Sequence, residues 1–204
     1  MSNATATNKT KTLVLYALFT AIIALLSFTP LGYLSVGAVD ITFLTVPGVI
    51  GATLLGYKGG AFLGLVFGIS SFMSANGIGM PSPFGAALLS ISWWRTAVLC
   101  IVPRVLMGFL TGLIFEILCK NRKKSFWKIA LTSLVGPILN TLLFMSTLFL
   151  LFGSSEYIMN LRGGANLLAF AAAFVGVNGL IEAAVSFVVS TAVSKALFAS
   201  LKIK

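Results

Sequence analysis

Between Lys128 and Glu156 stand 27 consecutive residues without a charged side chain, and runs almost as apolar recur along the rest of the chain. At about 1.5 Å of rise per helical residue, such a run covers roughly 40 Å, more than the ~30 Å hydrocarbon core of a bilayer. Within that core every backbone N–H and C=O must find its partner inside the protein, which leaves only helices or a closed barrel. Barrel strands would show as short alternating segments, whereas these runs are long and unbroken. The chain therefore reads as an all-α, polytopic membrane protein. Its composition agrees: 58% of the 204 residues are hydrophobic, 9% are charged and the mean hydropathy is +1.06, far from the values of soluble domains.

Six spans are predicted within a single membrane domain covering 1–204: 12–28, 41–56, 60–75, 99–119, 127–152 and 167–195. The second is short and contains Pro47 and several glycines, so a kink is expected there. A net charge of +10 would suggest nucleic acid in a soluble protein, but here the charges follow topology. Lys9 and Lys11 precede the first span, Lys58 separates the second from the third, and Lys120, Arg122, Lys123, Lys124 and Lys128 separate the fourth from the fifth. Lys195, Lys202 and Lys204 close the chain. By the positive-inside rule this side is cytoplasmic, with both termini on it, and Arg95, Arg104 and Arg162 are external or near the outer interface. The basic start and apolar run of the first span, followed by "SVGAVD", also fit a cleaved signal peptide, but the length of the run favours a retained span.

The inner connections are short and basic. The outer ones, "TPLGYLSVGAVD", "NGIGMPSPFGAALLSISWWR" and "GSSEYIMNLRGGAN", are long and rich in Gly, Pro, Ser and aromatics, which suggests a lid over a site opening outward. Tyr33, Asn76, Trp94 and Arg95 stand in these connections as candidate ligand contacts. An arginine can grip a carboxylate through two parallel hydrogen bonds and tryptophans can wall a site, although both residue types are also ordinary interfacial anchors. Polar groups inside the spans are few: Asn140 in the fifth, Asn178 and Glu182 in the sixth. Asn178 and Glu182 are one helical turn apart and share a face, and Asn140 can meet them from a neighbouring helix. Together they offer donors and acceptors to a polar ligand, or else an interhelical clamp. A carboxylate at membrane depth costs roughly 2.5–3.5 kcal/mol on insertion scales, which makes Glu182 an expensive clamp.

Small residues recur at four-residue spacing, as Ala17 and Ala21 in the first span and Gly60, Gly64 and Gly68 in the third. On spacing alone both sets read as close helix packing inside the bundle. Several functions are excluded or weakened by what the sequence lacks. There is no GxxxxGK[ST] loop to hydrolyse ATP, no histidine, and no acidic chain to relay protons. Cys100 and Cys119 lie toward opposite ends of one span, too far apart for a disulfide. No metal ligand set or cofactor is expected, and no internal inverted repeat is evident.

The AxxxA of the first span, "VDITFLTVPGVIGATLLGYKGGAFLGLVFGISSFM" across the second and third, and "PRVLMGFLTGLI" opening the fourth resemble the substrate-binding S components of energy-coupling factor (ECF) transporters over nearly the whole chain. The resemblance implies a subunit that captures a water-soluble vitamin and works with a transmembrane T component and two ATPase subunits, all on other chains. It makes Ala17 and Ala21 contacts for the T component, reversing the packing assignment for that pair. It also places the ligand near the outer surface, beneath the loops after the first and third spans, and implies a subunit that tips in the membrane to deliver it. The "TPLGYL" and "VDITFLTVPGVIGA" stretches are most similar to pantothenate-type members, close to others that take pyridoxine, hydroxymethylpyrimidine or folate. With pantothenate as ligand, Arg95 is expected to hold the carboxylate, and Asn140, Asn178 and Glu182 its hydroxyls and amide. The rival functions are a stand-alone facilitative or proton-coupled carrier, and a lipid-modifying enzyme with Glu182 as base. The enzyme lacks a second catalytic group near Glu182.

Overall fold

The computed structural model describes residues 2–30, 32–36, 39–120 and 126–201, with the backbone alone described for 2–8, 33–36, 39–41, 167–168, 170–178 and 201. Seven helices and one hairpin follow in the order α1 Ser2–Ser27, β1 Tyr33–Val36, β2 Val39–Thr42, α2 Thr45–Ala75, α3 Pro83–Ile91, α4 Trp93–Cys119, α5 Phe126–Phe152, α6 Glu156–Arg162 and α7 Leu167–Leu201. Five of these helices, α1, α2, α4, α5 and α7, are long and apolar enough to cross a membrane.

The 31 residues of α2 do not form one rod. Gly56 sits at φ 76°, ψ −171° inside it, a backbone conformation open to glycine and strained for other residues. On either side the chain folds back: a methyl group on Gly60 would run into the Cβ of Ala52, and one on Gly51 would strike Leu63. In a straight helix Ala52 and Gly60 would be about 12 Å apart along the axis. The first arm (45–55) therefore packs antiparallel on the second (57–75), and the connection expected around Lys58 is this single-residue corner. The first arm is only about 16 Å long, half a bilayer core. Glu116 of α4 closes the corner, its Oε1 accepting from the Tyr57 backbone N–H at 3.1 Å, one of the donors that a helix start leaves open.

In a bilayer no hydrophobic drive holds helix to helix, so contact depends on close approach. The Gly60, Gly64 and Gly68 stripe supplies it. A Cβ on Gly60 would meet the Gly108 carbonyl, one on Gly64 the Arg104 carbonyl, and one on Gly68 the backbone at Cys100 and Ile101. The stripe is thus internal packing against α4, as its spacing suggested. Beside it Phe19 and Ile23 of α1, Leu63 and Phe67 of α2 and Met107 of α4 form the central core. The order of packing then runs from α4 to α5, from α5 to α7, and from α7 back to α2.

Several described lysines collect at one end. Tyr16 stands edge-on to Phe62 beside Gly59, Lys58 adjoins the Gly56 corner, Phe115 stacks on Phe198, and Lys195 covers the Phe126 ring at 5.2 Å. The opposite end carries the long connections, and these are structured. Ser82 caps α3 by accepting from Gly85 N–H, and Ser155 caps α6 by accepting from Ile158 N–H. Leu88, Leu99, Leu148 and Ile158 tie both short helices to α4 and α5.

A short hairpin in one connection accompanies the all-helical bundle. Tyr33 pairs with Thr42 and Val36 with Val39, antiparallel. The alternation in "YLSV" and "VDIT", with only Gly37 and Ala38 between them, is a hairpin signal. A short hairpin satisfies part of its backbone internally, which suits a segment leading down onto the bundle at Thr45.

Candidate functional site

Proline begins the construction of the site. Pro103 lies inside α4 and Pro137 inside α5; neither has an N–H, so the carbonyls four residues earlier, Leu99 and Ser133, lose their helical donors. Side chains replace those donors. Arg104 Nη1 donates to Leu99 O at 2.8 Å, and Ser186 Oγ of α7 donates to Ser133 O at 3.5 Å. The freed carbonyls thus become anchors for polar groups at membrane depth.

Anchored in this way, the Arg104 guanidinium lies over the Phe144 ring of α5 at 4.7 Å and the Phe67 ring of α2 at 5.5 Å. Both are within cation–π range. Arg104 is the twelfth of the 27 residues of α4, which begins at Trp93, about 16 Å along the helix. The helix starts six residues before the predicted span, so Arg104 lies well inside α4 and not at its start. Its Nε is buried with no hydrogen-bond partner among the described residues.

Glu182 of α7 faces this group. It is 9% exposed, with the Thr45 hydroxyl against its carboxyl and the Arg104 charge acting on it. Its Oε1 is buried and unpartnered among the described residues, and so is Oδ1 of Asn140, itself 7% exposed and one turn before Phe144 on α5. Thr45 is fully buried and donates to Thr42 O at 3.1 Å, which joins the hairpin to the first turn of α2. Below Glu182, α7 continues as a line of buried hydroxyls at four-residue spacing. Ser186 meets Ser190 at 3.4 Å, Ser190 donates to Val46 O at 3.5 Å, and Ser194 meets Thr53 at 3.2 Å. Four helices thus bring a cation, a carboxyl and aromatic faces together, with the Asn140 amide one turn from Phe144 on α5.

The other candidates lie elsewhere. Arg95 is exposed, donates from Nη1 to Leu151 O at 3.2 Å and covers the Trp94 ring at 5.4 Å. It is nine residues before Arg104, so about 13 Å away along α4 and on the opposite face. Trp94 is half exposed. Asn76 caps the end of α2, its Nδ2 donating to Phe72 O at 2.8 Å, and it is exposed. Asn178 lies in α7 one turn before Glu182 and Tyr33 lies in β1, but the side chains of both fall outside the described residues. Ala17 and Ala21 are exposed on α1. Cys100 and Cys119 are not joined in a disulfide.

A bundle of long apolar helices that buries charged and polar groups without partners, with aromatic rings over the cation, is the architecture of a membrane protein that binds a small polar molecule. The family described as "ECF transporter, substrate-specific component" matches residues 11–194, and the chain belongs to that family. It is similar to the pantothenic acid transporter PanT of Lactococcus lactis subsp. cremoris, 32% identical over 76% of each chain. It is also similar to the pantothenate transporter PanT of Leuconostoc mesenteroides subsp. mesenteroides, 29% identical over 93% of each chain.

Proposed function

We propose that this subunit captures pantothenate for an ECF-type importer. The observation that carries the reading is that Arg104 Nε, Glu182 Oε1 and Asn140 Oδ1 are among the buried polar atoms without a partner in the described residues, with the Arg104 charge acting on Glu182. Pantothenate has a carboxylate at one end, two hydroxyls at the other and an amide between them. Arg104 suits the carboxylate better than Arg95 does, because it is turned into the bundle beside two aromatic rings. Glu182 and Asn140, with Asn178 one turn away on α7, suit the hydroxyls and the amide. This polarity answers the difficulty of an anion near a carboxylate, since the ligand would present its hydroxyl end to Glu182. Tyr33, Asn76, Trp94 and Arg95 then belong to the entrance at the outer end rather than to the floor.

The chain passes from one side of the membrane to the other six times, the hairpin and the short first arm of α2 together making one pass, as one membrane domain with both termini cytoplasmic. The collection of Lys58, Lys120, Lys128 and Lys195 at one end supports that orientation. The outward face of α1, where Ala17 and Ala21 are exposed beside Leu13, Val14, Leu18 and Leu25, supports docking on a transmembrane T component. ATP hydrolysis belongs to two ATPase subunits bound to that component.

Calorimetric titration of the purified chain in detergent with a panel of pantothenate, pyridoxine, hydroxymethylpyrimidine and folate tests the reading. Pantothenate is expected to bind alone and tightly. Binding of another vitamin in its place moves the substrate assignment, and binding of none sinks it.

A further inference from the structure

The inference rests on Arg104 as the group that receives the ligand carboxylate. We infer that Pro103 is a positioning residue for carboxylate selection: it frees the Leu99 carbonyl, and that carbonyl holds the Arg104 guanidinium turned into the bundle.

Arginine on an apolar helix ordinarily extends along its flexible stem toward the nearest water. Here three contacts prevent that. Nη1 is held by Leu99 O at 2.8 Å, and the guanidinium carbon lies over Phe144 and Phe67. The anchor engages Nη1, which lies on the Cδ side of the guanidinium. The fork formed by Nε and Nη2 points the other way and matches the two oxygens of a carboxylate. Nε is buried and has no partner among the described residues. The anchor therefore fixes the orientation of the fork without occupying its Nε.

The anchor depends on the proline. With any other residue at 103, the backbone N–H would donate to Leu99 O within a regular helix, and the carbonyl would lie along the axis instead of opening toward the side chain. Arg104 would keep its charge and its aromatic neighbours but lose its fixed direction. A carboxylate recognised by a directed fork depends on that direction; an alcohol at the same place does not. Pro103 should thus govern the preference for the acid over its alcohol analogue, and not affinity in general.

The test compares pantothenate with pantothenyl alcohol, in which CH2OH replaces the carboxylate, by calorimetry on the full chain in detergent. Wild type is expected to prefer the acid. Pro103→Ala and Pro103→Gly both restore the N–H, and both are expected to weaken pantothenate about 10- to 100-fold, the range of a hydrogen bond to a charged group, while leaving the alcohol within about threefold of wild type. A parallel loss for both ligands, an unchanged preference, or failure of both variants to fold would each make Pro103 merely structural and overturn the inference. If wild type binds no pantothenate, the proposed function itself falls.

Discussion

Two arginines nine residues apart on α4 illustrate how position decides what one side chain does. Arg95 stands in the first turn, exposed, bonded to Leu151 O and lying over Trp94. Arg104 stands deep in the same helix, bonded to Leu99 O and lying over Phe67 and Phe144. Each has a carbonyl and aromatic contact, so the contacts alone do not distinguish them. The surroundings do. Water screens and solvates Arg95, whereas Arg104 keeps a buried Nε without a partner among the described residues, and its charge acts on the buried Glu182. An interaction made at Arg104 Nε is therefore more desolvated, and stronger, than one made by Arg95.

Removing each group in turn measures that difference. Arg104→Ala should weaken pantothenate by about 2–5 kcal/mol, as expected when one member of a buried charged pair is truncated. Calorimetry checks it, and an unchanged affinity would make the two arginines equivalent. Phe144→Ala should cost roughly 0.5–2 kcal/mol of affinity through the lost cation–π contact, whereas Trp94→Ala should leave it unchanged. Equal losses at both rings would erase the contrast between the two ends of the helix. Arg95→Ala should change affinity by no more than about 0.5 kcal/mol; a larger loss would return the carboxylate to the outer end. Ala17→Leu with Ala21→Leu should leave affinity untouched and abolish ATP-driven uptake by the assembled complex in liposomes, and uptake that survives would show that the α1 face contacts no partner.

The contrast also shows what was legible in the sequence. The long helices were, because an uncharged run longer than the bilayer core admits few folds. Asn140 and Glu182 stood out for the same reason, and the structure buries both. Arg104 reads from the sequence as external or near the outer interface, at the start of its span, because counting Lys and Arg between spans assumes that arginines mark loops. The "PR" pair was the available signal, since a proline inside an apolar run frees a carbonyl next to the residue that can use it. The hairpin was overlooked although its residues alternate, because eight residues of period two are easily lost among long apolar runs. The corner at Gly56 was read as a connection, and its sharpness could not be foreseen: it depends on Glu116, sixty residues away, closing the new helix start.

That corner has an electrostatic result at the far end of the arm it creates. A helix only 11 residues long starts inside the bundle, and its first residue is Thr45, whose hydroxyl lies against the Glu182 carboxyl. Leu44 caps this start without a side-chain hydrogen bond, Val46 N–H donates to Phe43 O and Pro47 has no N–H, so what this helix end offers is mainly the partial positive charge of its dipole, about half a unit. Glu182 is thus set between two positive sources, a guanidinium and a helix end. A carboxyl at this depth is accommodated by the way the backbone is broken as well as by the arginine.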